Sequence, residues 1–222
     1  MLSNNIDENI KKIEELHIKY SHGKYKDKFK EIVWTHSLII SEIAIQICNS
    51  LETKYGIRSN LELAQIGSLV HDIGVYQCYD DEMYPDKNAP MYISHGLLGE
   101  KILRGEGYSI EIARFASCHT GTGLTIEDIE KDNLPYPKKD FIAITLEEEI
   151  VMYADKFHSK YPCFSTFEKQ RELLSKFNPI KGIKMDLFKQ KFGIPNLDNL
   201  EHKYSKWNLE IDKFLDQISR NK

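Results

Sequence analysis

The sequence lacks the features that mark secreted, membrane-spanning and nucleic-acid-binding proteins. Its four cysteines form no CxxC pair and stand far apart: Cys48, Cys78, Cys118 and Cys163. Their even number leaves disulfides open, but we interpret them as reduced cysteines that serve as small hydrophobic residues in the cytosol. No apolar run approaches the ~20 residues of a membrane span, and residues 1–12 carry no signal-peptide pattern. We therefore expect a cytoplasmic protein that does not associate with membranes.

Positive charge is scattered rather than concentrated. The 222 residues include 30 Lys and Arg against 34 Asp and Glu, which gives a formal net charge of −4. The absence of a basic stripe argues against a dedicated nucleic-acid binder, whereas a small phosphorylated substrate needs only a few local cations. With 41% hydrophobic and 29% charged residues, the chain is globular. It is long enough for one large domain, or one domain with an appendage.

Hydrophobic periodicity predicts helices in the first third of the chain. Isoleucines at helical spacing predict an amphipathic helix over residues 5–20. The more apolar segment Trp34–Leu51 predicts a second, largely buried helix. Asn60 is a suitable N-cap for a third helix, which continues to the pair His71-Asp72 and stops at Gly74.

A segment without periodicity follows the third helix. Residues 76–90 are rich in tyrosine, aspartate and proline, and long loops in compact domains often cover or shape a binding site. We therefore expect a loop that shapes the substrate pocket. Beyond it, Ser94 is a candidate N-cap for a helix over 95–103, and Ser109 for a helix over 110–118.

Two capping boxes and several further helices are predicted in the remaining chain. Thr-x-x-Asp at 125–128 and Thr-x-x-Glu at 145–148 each have the capping-box pattern, and the second opens a helix predicted to end near Ser159. We expect the glutamates at 147–149 to face solvent and complement the helix dipole. Asp155 lies in an apolar part of that helix, where a buried carboxylate is costly unless it is paired or bound to a metal.

The chain after Pro162 shows helical periodicity but no candidate chemistry. Segments 164–177, 185–192 and 197–218 predict helices with apolar stripes and charged outer faces. We expect residues 163–222 to form a helical extension packed on the same domain as residues 1–162. Three histidines in charged contexts are expected on the surface: His17, His22 and His202.

Several residues that could bind a metal occur near predicted helix ends or on apolar helical faces. His36 lies in the first turns of the second helix, and the pair His71-Asp72 ends the third. His95 begins one helix, His119 closes the next, and Asp155 lies on a later one. Helix bundles build metal sites from inward-facing side chains of several helices, and histidine nitrogen with carboxylate oxygen suits a divalent transition metal. A lone buried histidine is more often a hydrogen-bonded core residue, so the coincidence of several is what favours a metal site.

This ordered set resembles the HD-domain superfamily of metal-dependent phosphohydrolases. The string His71-Asp72-Ile73-Gly74 matches the HDIG variant of the superfamily signature. Three further strings also match it: Ser94-His95-Gly96, His119-Thr120-Gly121 and Ala154-Asp155-Lys156. The resemblance covers about residues 34–160, within the predicted domain of residues 1–162.

The resemblance implies an all-α fold, a helical bundle of the HD-domain type around a metal centre. The residues that would bind one ion in such proteins are here His36, His71, Asp72 and Asp155. Members with two further histidines often bind a second ion, which here implies His95 and His119 with Asp72 as the bridging carboxylate and catalytic residue. The ions implied are divalent transition metals, with Fe, Mn, Co, Ni and Zn all open.

The implied reaction is hydrolysis of a nucleotide or another small phosphorylated compound, in which metal-activated water attacks phosphorus. The pattern is nearest to the binuclear branch that includes symmetrical diadenosine tetraphosphate hydrolases. No GYP motif follows His119, so the chain departs from the cyclic-di-GMP phosphodiesterase branch. The candidate substrate-binding residues are Lys156 and Lys160, expected one helical turn apart, and His158, expected on the face of Asp155.

Other interpretations of the same residues stay open on the sequence alone. A non-catalytic HD module that senses metal or nucleotide would use similar ligands, and a di-iron oxygenase on this scaffold would share the ligand types. His95 and His119 could instead bind phosphate directly in a mononuclear enzyme. The substrate, the native metal and the oligomeric state are not determined, and a dimer is one option.

Overall fold

The computed structural model describes residues 5–79 and 91–220. These residues form ten α-helices: α1 Ile6–Tyr20, α2 Lys26–Tyr55, α3 Leu61–Val70, α4 His95–Gly105, α5 Ile110–Cys118, α6 Ile126–Lys131, α7 Leu146–Ala154, α8 Phe167–Phe177, α9 Pro179–Phe192 and α10 Asp198–Arg220. Short 3-10 helices occur at Ile73–Gln77, Tyr92–Ser94 and Asp155–Phe157. The strands β1 His158–Ser159 and β2 Cys163–Phe164 pair antiparallel. The all-α fold predicted from the sequence is confirmed.

The long helix α2 lies at the centre of the core. It packs against α3 and α7, and α3 in turn packs against α5 and α7. By length and composition, α2 is the one helix of the described residues that could cross a membrane. This corrects the expectation that no apolar segment approaches the length of a membrane span. However, 67% of the apolar window is buried inside the protein, as in the core helix of a globular domain.

Four helix starts follow the caps that the sequence predicts. Asn60 and Ser109 each accept a hydrogen bond from the backbone N–H three residues further on. The capping boxes at 125–128 and 145–148 are both complete, with the side chain and backbone of each pair bonded reciprocally. Each cap satisfies backbone N–H groups that have no partner inside the helix, so these starts are fixed by local sequence.

Other helix boundaries and one predicted cap differ from the prediction. Helix α2 begins eight residues earlier than predicted, at Lys26, because Phe29 and Val33 continue its buried face. Ser94 makes no capping hydrogen bond, since it ends a 3-10 helix that leads directly into α4. Helix α7 ends at Ala154 rather than near Ser159, and the chain continues through a 3-10 helix into β1.

Two expectations about exposure are wrong. His17 is fully buried, with Nδ1 2.9 Å from the Tyr76 hydroxyl and Nε2 2.9 Å from the Leu69 carbonyl oxygen. Glu148 is 2% exposed and pairs with Arg114 at 2.7 Å, in addition to its role in the capping box. Both residues are polar groups that the core accepts because their hydrogen bonds are satisfied.

Other expectations about exposure are confirmed or lie outside the described residues. His22 and His202 are exposed, as predicted. Most of the loop predicted over 76–90 lies outside the described residues. At its start, Tyr76 and Gln77 belong to a 3-10 helix, and Tyr76 is fully buried rather than part of a loop.

The C-terminal helices pack against the preceding part of the chain. In α10, Ile211 lies against Ile32 of α2 in a small buried cluster, and Trp207 Nε1 donates to Glu31 Oε1 at 3.0 Å. Helix α9 begins at Pro179, earlier than predicted, because Asn178 caps it and proline is favoured in the first turn.

Candidate metal centre

Four side chains bring ligand atoms to within 4.8 Å of one another: His36, His71, Asp72 and Asp155. His36 Nε2 lies 3.2 Å from an oxygen of each aspartate. His71 Nε2 lies 3.3 Å and 3.4 Å from the same two oxygens. Metal–ligand bonds of about 2.0–2.2 Å place tetrahedral ligands roughly 3.3–3.6 Å apart, so these nitrogen–oxygen spacings fit a divalent metal.

A second group shares Asp72 with the first. Its ligand atoms come from Asp72, His95 and His119. The two imidazole Nε2 atoms lie 3.0 Å apart, and they lie 3.6 Å and 3.5 Å from Asp72 Oδ1. Within the described residues this oxygen is buried without a hydrogen-bond partner. An unsatisfied buried acceptor is costly, so a cation between these three groups would remove that cost.

Three of the four histidines occupy helix ends, and this position sets their orientation. The ring Nδ1 atoms of His71, His95 and His119 lie 2.6–2.7 Å from the carbonyl oxygens of Ser68, Tyr92 and Ala116, each three residues upstream. The carbonyls of Ser68 and Ala116 belong to the last turns of α3 and α5, where helix carbonyls have no partner inside the helix. Because a carbonyl only accepts, Nδ1 carries the proton and Nε2 presents its lone pair to the centre.

The electrostatics favour charged aspartates. Burial opposes ionisation of Asp72 and Asp155, but the ammonium groups of Lys160 and Lys156, with neighbouring imidazoles, hold the pKa of both carboxyls well below the usual value. Carboxylates in their charged form are the state that binds a divalent metal.

The pKa values of His71, His95 and His119 are shifted in opposite directions. Burial lowers the pKa of His95 to about 3 and also lowers that of His119, so both imidazoles are neutral, the form that can bind a metal. Burial also lowers the pKa of His71, but the carboxylates of Asp72 and Asp155 outweigh it and raise the pKa to about 9. A metal ligand must be deprotonated, so His71 would have to lose a proton in order to hold a metal.

The three candidate substrate-binding residues lie beside the first group, but not as predicted. Because α7 ends at Ala154, Lys156 and Lys160 are not one helical turn apart, and His158 lies on β1 rather than on the helical face of Asp155. Lys156 Nζ lies 2.8 Å from Asp155 Oδ2. Lys160 Nζ contacts Asp72 Oδ2 and stands over the ring of Tyr92, 5.5 Å from its centroid.

A cavity of about 310 Å³ opens beside His36 and Asp155. Its walls include Lys156, His158 and Lys160, together with four aromatic side chains that the sequence did not single out: Phe29, Tyr79, Tyr92 and Tyr161. Tyr79 lies in the segment predicted to shape the pocket. For the other three aromatic residues the sequence gives no comparable signal. Gln170 and Leu173 of α8 also line the cavity, although the extension offered no sequence signal for a role at the site.

Sequence comparisons show that this chain is similar to several known proteins. The HD domain family model matches residues 33–160. An uncharacterized protein of Methanocaldococcus jannaschii is 36% identical over 130 residues, which is 59% of this chain and 68% of the relative. Two tRNA (cytidine(56)-2'-O)-methyltransferases also match, from Picrophilus torridus (34% over 97 residues) and Thermoplasma volcanium (28% over 131 residues). The matched segments are 44% and 59% of this chain but 24% and 33% of those enzymes.

Two solved structures of the L. monocytogenes phosphodiesterase PgpH HD domain are similar to the chain at 17% identity. One has a TM-score of 0.46 and covers 72% of this chain and 83% of that domain. The other, in complex with cyclic-di-AMP, has a TM-score of 0.49 and covers 78% and 92%.

Proposed function

This chain belongs to the HD-domain family, and we propose that it is a metal-dependent phosphohydrolase that acts on a nucleotide or another small phosphorylated compound. The observation that carries the proposal is the pair of ligand groups joined by Asp72, with four ligand residues in the first and three in the second. Family membership supports binding of a divalent metal, and the shared carboxylate supports two ions rather than one.

Each ligand group would hold one ion, and Asp72 would contribute one oxygen to each. Bound metals supply a hydroxide at neutral pH by lowering the pKa of water, and they stabilise charge on phosphoryl oxygens. The backbone carbonyls of Ser68, Tyr92 and Ala116 hold three imidazoles in the orientation that the ligand groups require.

Lys160 is the residue best suited to bind the phosphate. Its ammonium lies at the junction of Asp72, Tyr92 and the cavity, where it would offset negative charge that develops on the phosphoryl oxygens. Lys156 has two acceptors, Asp155 Oδ2 at 2.8 Å and the His119 carbonyl oxygen at 3.4 Å. Lys160 contacts one acceptor among the described residues, Asp72 Oδ2, so its ammonium is the freer of the two to bind the substrate.

The aromatic lining of the cavity favours a nucleotide over a simple phosphate ester. Four aromatic rings surround a space of about 310 Å³ next to the ligand groups. A planar base stacked on such a ring gains about 1–3 kcal/mol. The methyl transfer named for two relatives is not part of the proposal, because the matched segment is at most 33% of those enzymes.

The test combines metal content with turnover. We expect two ions per chain in the wild type, one in the double variant His95→Ala/His119→Ala, and loss of both in Asp72→Asn with helical content retained by circular dichroism. A panel of nucleotides with added Mn²⁺ should be hydrolysed by the wild type and not by Asp72→Asn.

Three outcomes would contradict the proposal in different ways. One ion in both the wild type and the double variant, with only substrate affinity lost, would make His95 and His119 phosphate ligands. Metal binding without any turnover would indicate a sensor module. Iron-dependent oxygen consumption would indicate an oxygenase.

A further inference from the structure

His36 is the one histidine of the two ligand groups without a backbone carbonyl at its Nδ1. Its position explains the difference, because His36 lies ten residues into α2, where the carbonyls three and four residues upstream belong to the helical ladder. The other three histidines use carbonyls near helix ends. His36 therefore needs an acceptor from another part of the chain.

That partner is a second imidazole. His36 Nδ1 lies 3.0 Å from His158 Nδ1, and the two rings stack at 25° with centroids 5.3 Å apart. His158 is 4% exposed and is held on β1, where it pairs with Phe164. The ring of Phe164 also packs edge-on against it at 4.8 Å, and Trp207 of α10 lies 6.3 Å away. This surrounding structure gives His158 a defined orientation.

One proton must lie between the two facing nitrogens, and its location decides what His36 can do. If His158 donates, His36 carries its proton on Nε2, the atom that lies 3.2 Å from both aspartate oxygens, and a metal cannot bind there. If His36 donates, its Nε2 presents a lone pair. We propose that His158 is a positioning residue that accepts the His36 Nδ1 proton and so fixes His36 as a ligand, an inference that rests on the proposed metal-dependent function.

The same arrangement determines whether the other ring nitrogen of His158, Nε2, carries a proton. A neutral His158 that accepts at Nδ1 carries its proton on Nε2. Within the described residues Nε2 is buried and has no hydrogen-bond partner, and His158 lines the cavity beside the first ligand group. His158 therefore carries a buried N–H donor that has no acceptor among the described residues.

The experiment is a cobalt(II) titration of the metal-depleted 222-residue chain, followed by visible absorption. His158→Asn keeps an acceptor oxygen near the place of Nδ1, whereas His158→Phe keeps a ring without an acceptor. We expect a 10–100-fold loss of cobalt affinity and an altered absorption spectrum in His158→Phe, with most of the affinity and the spectrum restored in His158→Asn. His17→Phe removes another fully buried histidine, whose ring nitrogens contact Tyr76 and Leu69 rather than a candidate ligand, and it should leave the cobalt spectrum unchanged.

The outcomes separate this inference from the proposed function. If the wild type binds no cobalt, the proposed function fails and the role of His158 fails with it. Two outcomes would overturn only the role of His158, provided that the wild type binds cobalt. In the first, His158→Phe matches the wild type in affinity and spectrum. In the second, His158→Asn is impaired as severely as His158→Phe. Should His158→Phe fail to fold, His158→Leu replaces it in the same comparison with His158→Asn.

Discussion

At the scale of single residues, the surroundings of an imidazole decide how it is used. Both ring nitrogens of His17 are occupied, one by the Tyr76 hydroxyl and one by the Leu69 carbonyl, so His17 cannot bind a metal. Burial lowers its pKa from 6.5 to about 4. His17 therefore contributes to the fold as a neutral hydrogen-bonding group, whereas His71, next to two carboxylates, belongs to the centre.

The low pKa of His17 makes the stability of the fold depend on pH. Between pH 6.5 and about 4 the unfolded chain binds a proton at His17 while the folded chain does not, so stability is lost as the pH falls through this window. The loss amounts to about 3 kcal/mol at the acidic end. In urea unfolding, the stability advantage of the wild type over His17→Gln should therefore shrink by about 2 kcal/mol between pH 7 and pH 4.5.

The control for this measurement is His202→Gln, which changes an exposed histidine and should follow the wild type at both pH values. If the stability advantage of the wild type over His17→Gln stays constant from pH 7 to pH 4.5, the folded chain accepts the proton at His17 as readily as the unfolded chain.

At the scale of elements, the candidate metal centre depends on close contact between the 3-10 helix after Asp72 and helix α4. A Cβ at Gly74 would lie 2.0 Å from the His95 carbonyl oxygen and 2.3 Å from the Gly99 nitrogen. Both contacts are with backbone, which cannot move without shifting α4. The glycine of the HDIG string therefore lets the elements that carry Asp72 and His95 approach each other.

Gly74→Ala tests this contact. The added methyl group should push α4 away and lower the free energy of unfolding by at least about 1–3 kcal/mol, the usual cost of overpacking. It should also weaken the second ligand group more than the first, because His95 moves with α4. Metal stoichiometry and urea unfolding measure both effects.

Gly105→Ala is the matched control on the same helix, since nothing lies within 4 Å of the Cβ position at Gly105. It should be neutral or slightly stabilising. A Gly74→Ala variant as stable as Gly105→Ala would show that the approach of the two elements is not tight.

The elements that the sequence predicts well are those fixed by local chemistry. The caps at Asn60, Ser109, 125–128 and 145–148 depend on residues three positions apart. The end of α7 was missed because β1 exists only through pairing with β2, a contact that no local pattern contains.

At the site, the residue types and order predicted which side chains the structure brings together, while their partners came only from the fold. His36 and His158 are 122 positions apart in sequence, so no local pattern predicts their contact. The burial of His17 had a usable signal, because His17 continues the helical spacing of Ile10 and Ile13. The aromatic residues that line the cavity gave almost no signal in the sequence, since they come from separate segments.

At the scale of the whole molecule, the C-terminal extension contacts both the core and the surroundings of the site. Lys184 of α9 donates to the Thr122 carbonyl at 2.8 Å, in the turn that follows the candidate ligand His119. Gln170 of α8 lines the cavity, and α10 packs against α2 through Ile211. We infer from these contacts that the extension and the motif region unfold as one unit.

Ile211→Ala tests that inference, because Ile211 is fully buried against α2. Loss of its buried methylenes should lower stability by about 2–5 kcal/mol. If the chain unfolds as one unit, far-UV circular dichroism and the thiol labelling of buried Cys48 and Cys118 should shift together to lower urea concentration. Leu209→Ala, on the same helix but at a side chain 62% exposed, should shift neither. A variant that loses part of its helical signal early, while labelling of both cysteines keeps the wild-type midpoint, would show that residues 163–222 form a separate unit docked on the metal-binding domain.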